Sequence, residues 1–131
     1  FKLSDYTEIL RRRIESDELA VGPQARRNEI LSFLEQGLED IAISRPNVKW
    51  GIKLPWDESQ TCYVWVDALF NYISALGYPG GEKYKKFWPA DLHVIGKDII
   101  RFHCLIWPAL LEAVGIPWPK KIFAHGFFTI D

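Results

Sequence analysis

Leu92-His93-Val94-Ile95-Gly96-Lys97-Asp98-Ile99-Ile100-Arg101-Phe102-His103-Cys104-Leu105-Ile106-Trp107 holds the clearest change of local structure in the chain. It passes from a short apolar strand through a glycine turn into a mostly apolar helix. Ile99, His103 and Trp107 recur at four-residue spacing, so they stack along one helix face. At about 100° per residue, Lys97, Arg101 and Glu112 form a narrow polar stripe, and His103 falls on the other side with Phe102, Ile106 and Leu110. A titratable ring on a greasy face, close to the carboxylate of Asp98, needs an explanation. Pro108 lies inside the helix and should loosen it near Cys104.

Working outward, Ile122-Phe123-Ala124-His125-Gly126 reads as another strand, after the break Gly115-Ile116-Pro117-Trp118-Pro119. Upstream, Cys62-Tyr63-Val64-Trp65-Val66 is rich in β-branched and aromatic residues and suits a buried strand. Asp67 would end it and cap a helix from Ala68 to Leu76, with Gly77 as terminator. Strand, helix, strand, helix, strand is the order of an α/β fold with a parallel sheet and crossover helices. Such sheets bind ligands beyond the carboxyl ends of their strands, where Asp67, Asp98 and His125 are expected to converge.

The first 60 residues read as a helical segment attached to this sheet. Ser4 and Asp5 can cap a first helix with the stripe Tyr6, Ile9, Leu10 and Ile14. Gly22-Pro23 opens a second helix, buried through Ile30, Leu31, Phe33 and Leu34 and stopped at Gly37. Ile41-Ala42-Ile43-Ser44-Arg45 is short and extended, and residues 49–60 form a loop or small hairpin. The organisation expected is therefore 1–60 helical and 61–131 sheet-forming.

The 131 residues include 48% hydrophobic and 15% aromatic, enough for a core and for ring-lined pockets. A net charge of -1 gives no electrostatic case for nucleic acid or membrane. Cys62 and Cys104 have no zinc-type spacing and read as free thiols in a reducing compartment. No run approaches the roughly 18 apolar residues of a membrane span. The chain starts at Phe1 and contains no methionine, so it reads as a piece of something larger.

Taken alone, Asp98 after Gly96 can bind a ribose hydroxyl or an ammonium, or simply cap a helix, and Ile99 adds a helix-terminal amide. Trp65, Tyr72 and Trp107 could wall a pocket for a thioether or aliphatic ligand, or pack a core. His103 could be a satisfied core histidine or the single polar contact of such a pocket. Arg45 alone reads as a surface charge.

The set Tyr63-Val64-Trp65-Val66-Asp67-Ala68 with Tyr72, then Ile95-Gly96-Lys97-Asp98-Ile99 with Phe102-His103 and Trp107-Pro108-Ala109, then His125-Gly126, resembles the methionyl-tRNA synthetase family. Ile43-Ser44-Arg45 matches a short upstream family motif, and Leu69-Phe70-Asn71 resembles the bacterial and mitochondrial branch. The resemblance implies the second half of a Rossmann-like class I catalytic domain, preceded by the end of an inserted connective region. It implies ATP-dependent activation of methionine to methionyl-adenylate and transfer to the methionine tRNA, with ATP as substrate alongside Mg2+.

By position, it assigns Trp65, Ala68, Leu69, Tyr72, His103 and Trp107 to the methionine side chain. Gly96, Asp98, Ile99, His125 and the backbone at Phe128 fall to ATP, and Arg45 to the activation step. The His-Ile-Gly-His phosphate signature, the KMSKS loop and the zinc knuckle of some members are not in this stretch, so no zinc site is expected here. The chain is expected to be an internal fragment, inactive without the first half of the catalytic domain and the anticodon-binding domain. It would be a cytoplasmic or mitochondrial-matrix protein. The alternatives are another class I synthetase, for isoleucine, valine or leucine, and a non-catalytic ligand-binding or assembly domain of the same fold.

Overall fold

The computed structural model describes residues 1–46 and 48–129. A 3-10 turn at Leu3–Tyr6 leads into α1 (Thr7–Glu15), then β1 (Ala20–Gly22) and α2 (Gln24–Gln36). A small sheet follows from β2 (Ser44–Pro46), β3 (Lys53–Leu54) and β4 (Asp57–Cys62), and then α3 (Val64–Ser74) and α4 (Glu82–Phe87). The last section holds β5 (His93–Gly96), a 3-10 turn at Lys97–Ile99, a π-helical segment at Phe102–Ile106, α5 (Trp107–Ala113) and β6 (Lys121–His125).

The main sheet runs β1-β6-β5 and is parallel throughout, as expected for an α/β fold. β5 and β6 lie where the sequence put them, but the third strand does not. The Cys62–Val66 run is not a strand of this sheet: β4 ends at Cys62, and Val64 to Val66 form the first turn of α3. Its apolar residues recur in a helical stripe, Trp65, Leu69 and Ile73, which a short apolar run cannot distinguish from a strand. Asp67 consequently sits inside the first turn, and Tyr63, with extended backbone, takes the N-cap position. The third strand is β1, only three residues long, so the sheet is built across residue 60.

Of the loop or small hairpin expected at 49–60, the structure has the hairpin, β3–β4, with β2 added antiparallel to β4. α1 buries Leu10 and Ile14, and α2 buries Ile30 and Leu34. α2 stops at Gly37, whose φ of 82° is a conformation that glycine adopts without strain. Ser4 does not cap α1; its hydroxyl turns to the Asp40 carboxylate at 2.6 Å.

The loosening expected around Pro108 takes the form of the π segment. Proline has no N–H for the carbonyl four residues back, at Cys104, and its ring clashes there. The chain widens ahead of it, so the Trp107 N–H donates to the Phe102 carbonyl, five residues away. The widening turns His103, Cys104, Leu105 and Trp107 all inward, where they are buried.

Candidate functional site

On β5, alternation sends His93 and Ile95 toward the helices and Val94 to the open side. Above them lie the last turns of α3, carrying Tyr72, and the π segment, carrying His103. The Tyr72 hydroxyl and His103 Nε2 are 2.9 Å apart, and His103 Nδ1 lies 3.0 Å from the Ile99 carbonyl. A carbonyl can only accept, so Nδ1 carries the proton, and neutral Nε2 accepts from the Tyr72 hydroxyl. Burial lowers the His103 pKa, against the pull of the Ile99 carbonyl, which keeps the ring neutral. Burial also raises the Tyr72 pKa, so its proton stays in this bond.

Trp107 is fully buried, its ring 6.1 Å from Tyr72 and edge-on to Phe70 at 5.4 Å. Its Nε1 has no partner among the described residues. Trp65 is stacked on Phe102 at 3.9 Å between centroids. Ala68 is exposed between Trp65 and Tyr72 on the α3 stripe, and Leu69 is in the core at 1% exposure. Tyr72, His103 and Trp107 thus form one connected group, with Trp65 joined to it through Phe102, the neighbour of His103. Ala68 borders it from the surface, and Leu69 backs it from within.

A second group forms at the carboxyl ends of the parallel strands. Gly96 and His125 are register partners there. A side chain at Gly96 would meet nothing within 4 Å, so its Cα faces open space. The His125 ring lies 5.0 Å from that of Phe128. Asp98 is exposed 3.3 Å from Lys97, whose ammonium sits over Phe127 at 4.1 Å. The Ile99 amide closes a 3-10 turn that runs on without a break into the helix ending at Ala113, so it lies in the first turn of a long helix. Asp67 does not join this group; it borders a separate cavity.

That cavity, about 340 Å³, lies between the small sheet and the start of α3. Arg45 lines it with its guanidinium 4.0 Å above the Tyr63 ring and one nitrogen donating to the Ser44 carbonyl at 3.1 Å. Cys62, Val64 and Asp67 share its wall. Among the described residues, no three His, Cys, Asp or Glu side chains converge as a metal site.

Sequence reasoning missed His93. Its ring is 4.3 Å from Tyr72, 6.1 Å from Trp88 and 6.2 Å from His103. Burial, with the neighbouring His103, lowers its pKa to about 4. The available signal is alternation, since His93 shares a sheet face with Ile95 and has to point inward.

The geometry can be set beside known proteins. The family model for class I (M) tRNA synthetases matches residues 1–131. The chain belongs to that family. A methionine–tRNA ligase of Caldanaerobacter subterraneus subsp. tengcongensis is 50% identical over 133 residues, covering 100% of this chain and 21% of the relative. One from Thermotoga maritima is 52% identical over 132 residues, with the same coverage of 100% and 21%. Among solved structures, Mycobacterium tuberculosis methionyl-tRNA synthetase bound by methionyl-adenylate superposes with a TM-score of 0.93 at 48% identity, over 98% of this chain and 26% of that one. This chain spans about a fifth to a quarter of the family members it matches.

Proposed function

We propose that this chain is the part of a methionine–tRNA ligase that holds the methionine side chain and part of the ATP site. The observation that carries this reading is the Tyr72–His103 hydrogen bond set among Trp107, Phe70 and Trp65. Polarizable walls with one polar contact suit a thioether, and sulfur against aromatic rings is mildly favourable. Trp65, Ala68, Tyr72, His103 and Trp107 would surround the side chain, with Leu69 behind them. A smaller aliphatic amino acid would be disfavoured by only about 1–3 kcal/mol per missing methylene.

At the strand ends, Gly96 leaves room for a ribose and Asp98 offers it a carboxylate, with the Ile99 amide beside it. His125 and the backbone at Phe128 would flank the adenine. Arg45 would organise the amino-acid end of the reaction from the neighbouring cavity. In that reaction the methionine carboxylate attacks the α-phosphate of ATP, and the bond to the leaving pyrophosphate breaks. A hydroxyl at the 3′ end of the methionine tRNA then attacks the methionyl carbonyl and releases AMP. The protein supplies position and charge, not a nucleophile.

Magnesium would accompany the nucleotide on its phosphates. In the full-length protein, residues 1–60 would close the connective region and 61–131 form the second half of the nucleotide-binding fold, with β1 crossing between them. The first half of that fold and the anticodon-binding domain would complete a cytoplasmic enzyme. No helix among the described residues is long and apolar enough to cross a membrane.

The test is methionine-dependent ATP–pyrophosphate exchange by the full-length protein, with isoleucine, valine and leucine as competitors. His103→Ala and Trp65→Ala should each raise the KM for methionine about tenfold, the scale of removing one hydrogen bond or one aromatic wall. No exchange with methionine would overturn the proposal. Exchange with a branched amino acid instead would assign the chain to a different synthetase.

A further inference from the structure

His93 is the buried residue in this region that the proposed chemistry leaves without a task. It enters from the first position of β5 and lies under the Tyr72 ring, 4.3 Å away and tilted by 53°. Its other ring neighbours are Trp88, at 6.1 Å, and His103, at 6.2 Å. Trp88 is itself anchored by its Nε1 donating to the Pro117 carbonyl at 2.9 Å, and meets Trp107 edge-on at 5.9 Å. His93 therefore has a fixed indole on one hand and, on the other, the most open ring of the aromatic group, Tyr72 at 37% exposure.

Tyr72 needs such support. Its hydroxyl keeps the 2.9 Å bond to His103 only while its ring holds one orientation, and of the rings around it, His103 at 5.7 Å, Trp107 at 6.1 Å and His93 at 4.3 Å, His93 is the nearest. His93 Nε2 has no hydrogen-bond partner among the described residues, and the tilted rings 4.3 Å apart leave packing as the way this residue acts on Tyr72.

We infer that His93 is a positioning residue: by packing its ring under Tyr72 it fixes the Tyr72–His103 hydrogen bond, and through it the affinity for the amino-acid side chain. This rests on the methionine-site reading above.

Two substitutions in the full-length protein separate positioning from packing. His93→Leu keeps a buried apolar group without a planar ring, and His93→Phe keeps the ring without nitrogens. In ATP–pyrophosphate exchange, Leu should raise the KM for methionine about fivefold to tenfold, with the KM for ATP and kcat within twofold of the parent protein. Phe should restore the methionine KM to within about twofold. A purely structural role would lower the melting temperature and leave this split unmoved. Equal losses for methionine and ATP, an unchanged methionine KM in folded His93→Leu, or a Phe variant as impaired as Leu would each overturn the inference.

Imidazole nitrogen NMR tests the same geometry without any substrate. The His103 Nε2 resonance should shift in His93→Leu and stay in place in His93→Phe; no shift in the Leu variant would overturn the inference. If the parent protein shows no exchange with methionine, the site reading fails, and the NMR result still decides the role of His93.

Discussion

In the β1-β6-β5 sheet, Ile95, Ile122 and Ala124 are packed under helices, whereas the β2-β4-β3 sheet and its connections leave Trp50 at 89% and Trp56 at 76% exposure. The two sheets have the same number of strands, and both regions carry large apolar side chains. They differ in what lies opposite. α5, α3 and the π segment supply a buried face to the first, while the second meets the rest of the chain mainly along the cavity that holds Arg45. Even the main sheet is covered on one side only, since the register partners Val94 and Phe123 both point to the open face. Apolar composition marks a surface that must be covered; the tertiary arrangement decides which surface is covered within this chain.

The two regions should differ most when tryptophans are truncated in each. Trp107→Ala should destabilise the protein by about 3–5 kcal/mol in chemical denaturation, the usual cost of emptying a fully buried aromatic site. Trp50→Ala and Trp56→Ala should each stay within about 0.5 kcal/mol. A loss above about 2 kcal/mol at Trp50 would mean that the small sheet is packed after all.

A smaller effect is expected from acid. The unfolded His93 ring binds a proton near pH 6.5, and the folded ring only at about 4. Between those values the unfolded state binds more protons, so stability is present in full above pH 6.5 and is lost as the pH falls toward 4. The loss should be on the order of 3 kcal/mol, at about 1.4 kcal/mol for each unit between the two values. His103, also lowered, adds to it with the same sign. His93→Phe should flatten this limb of the stability profile. Asp40 and Asp57, whose hydrogen bonds to Ser4 and to Ser59 and Gln60 lower them, act below pH 4 and leave the window untouched. A profile unchanged by His93→Phe would put the acid sensitivity elsewhere.

The mildest test uses the two thiols, one in each region. Cys104 is fully buried and its thiol is pushed far up by burial, whereas Cys62 is half-buried at the end of β4 and raised less. Iodoacetamide should alkylate Cys62 slowly and leave Cys104 untouched until the protein unfolds. Equal labelling of both under native conditions would show that the π segment opens readily.

Legibility follows the same division. β5, β6 and α2 with its Gly22-Pro23 start and Gly37 stop can be read because local chemistry dictates each of them, while at 49–60 the residues leave loop and hairpin open. Cys62–Val66 misleads because a short run of β-branched and aromatic residues fits the first turn of a helix as well as a strand; in that turn Val64 stands 63% exposed. β1 is invisible because three residues carry no period. The pairing of Tyr72 with His103 joins positions 31 apart, so neither residue's surroundings announce it. The family resemblance names both residues, and the tertiary structure supplies the proton arrangement between them.

The crossover from β5 to β6, the loosening of the helix ahead of Pro108 and the apolar face that holds His103 are written in the residues themselves. Those follow from backbone sterics and alternation, which act over a few residues. The tertiary structure alone decided that β1 completes the sheet, that α3 begins at Val64, and that two histidines from different elements meet around one tyrosine. These depend on which surfaces are brought together, and burial across distant segments is a property of the packed molecule rather than of any stretch within it.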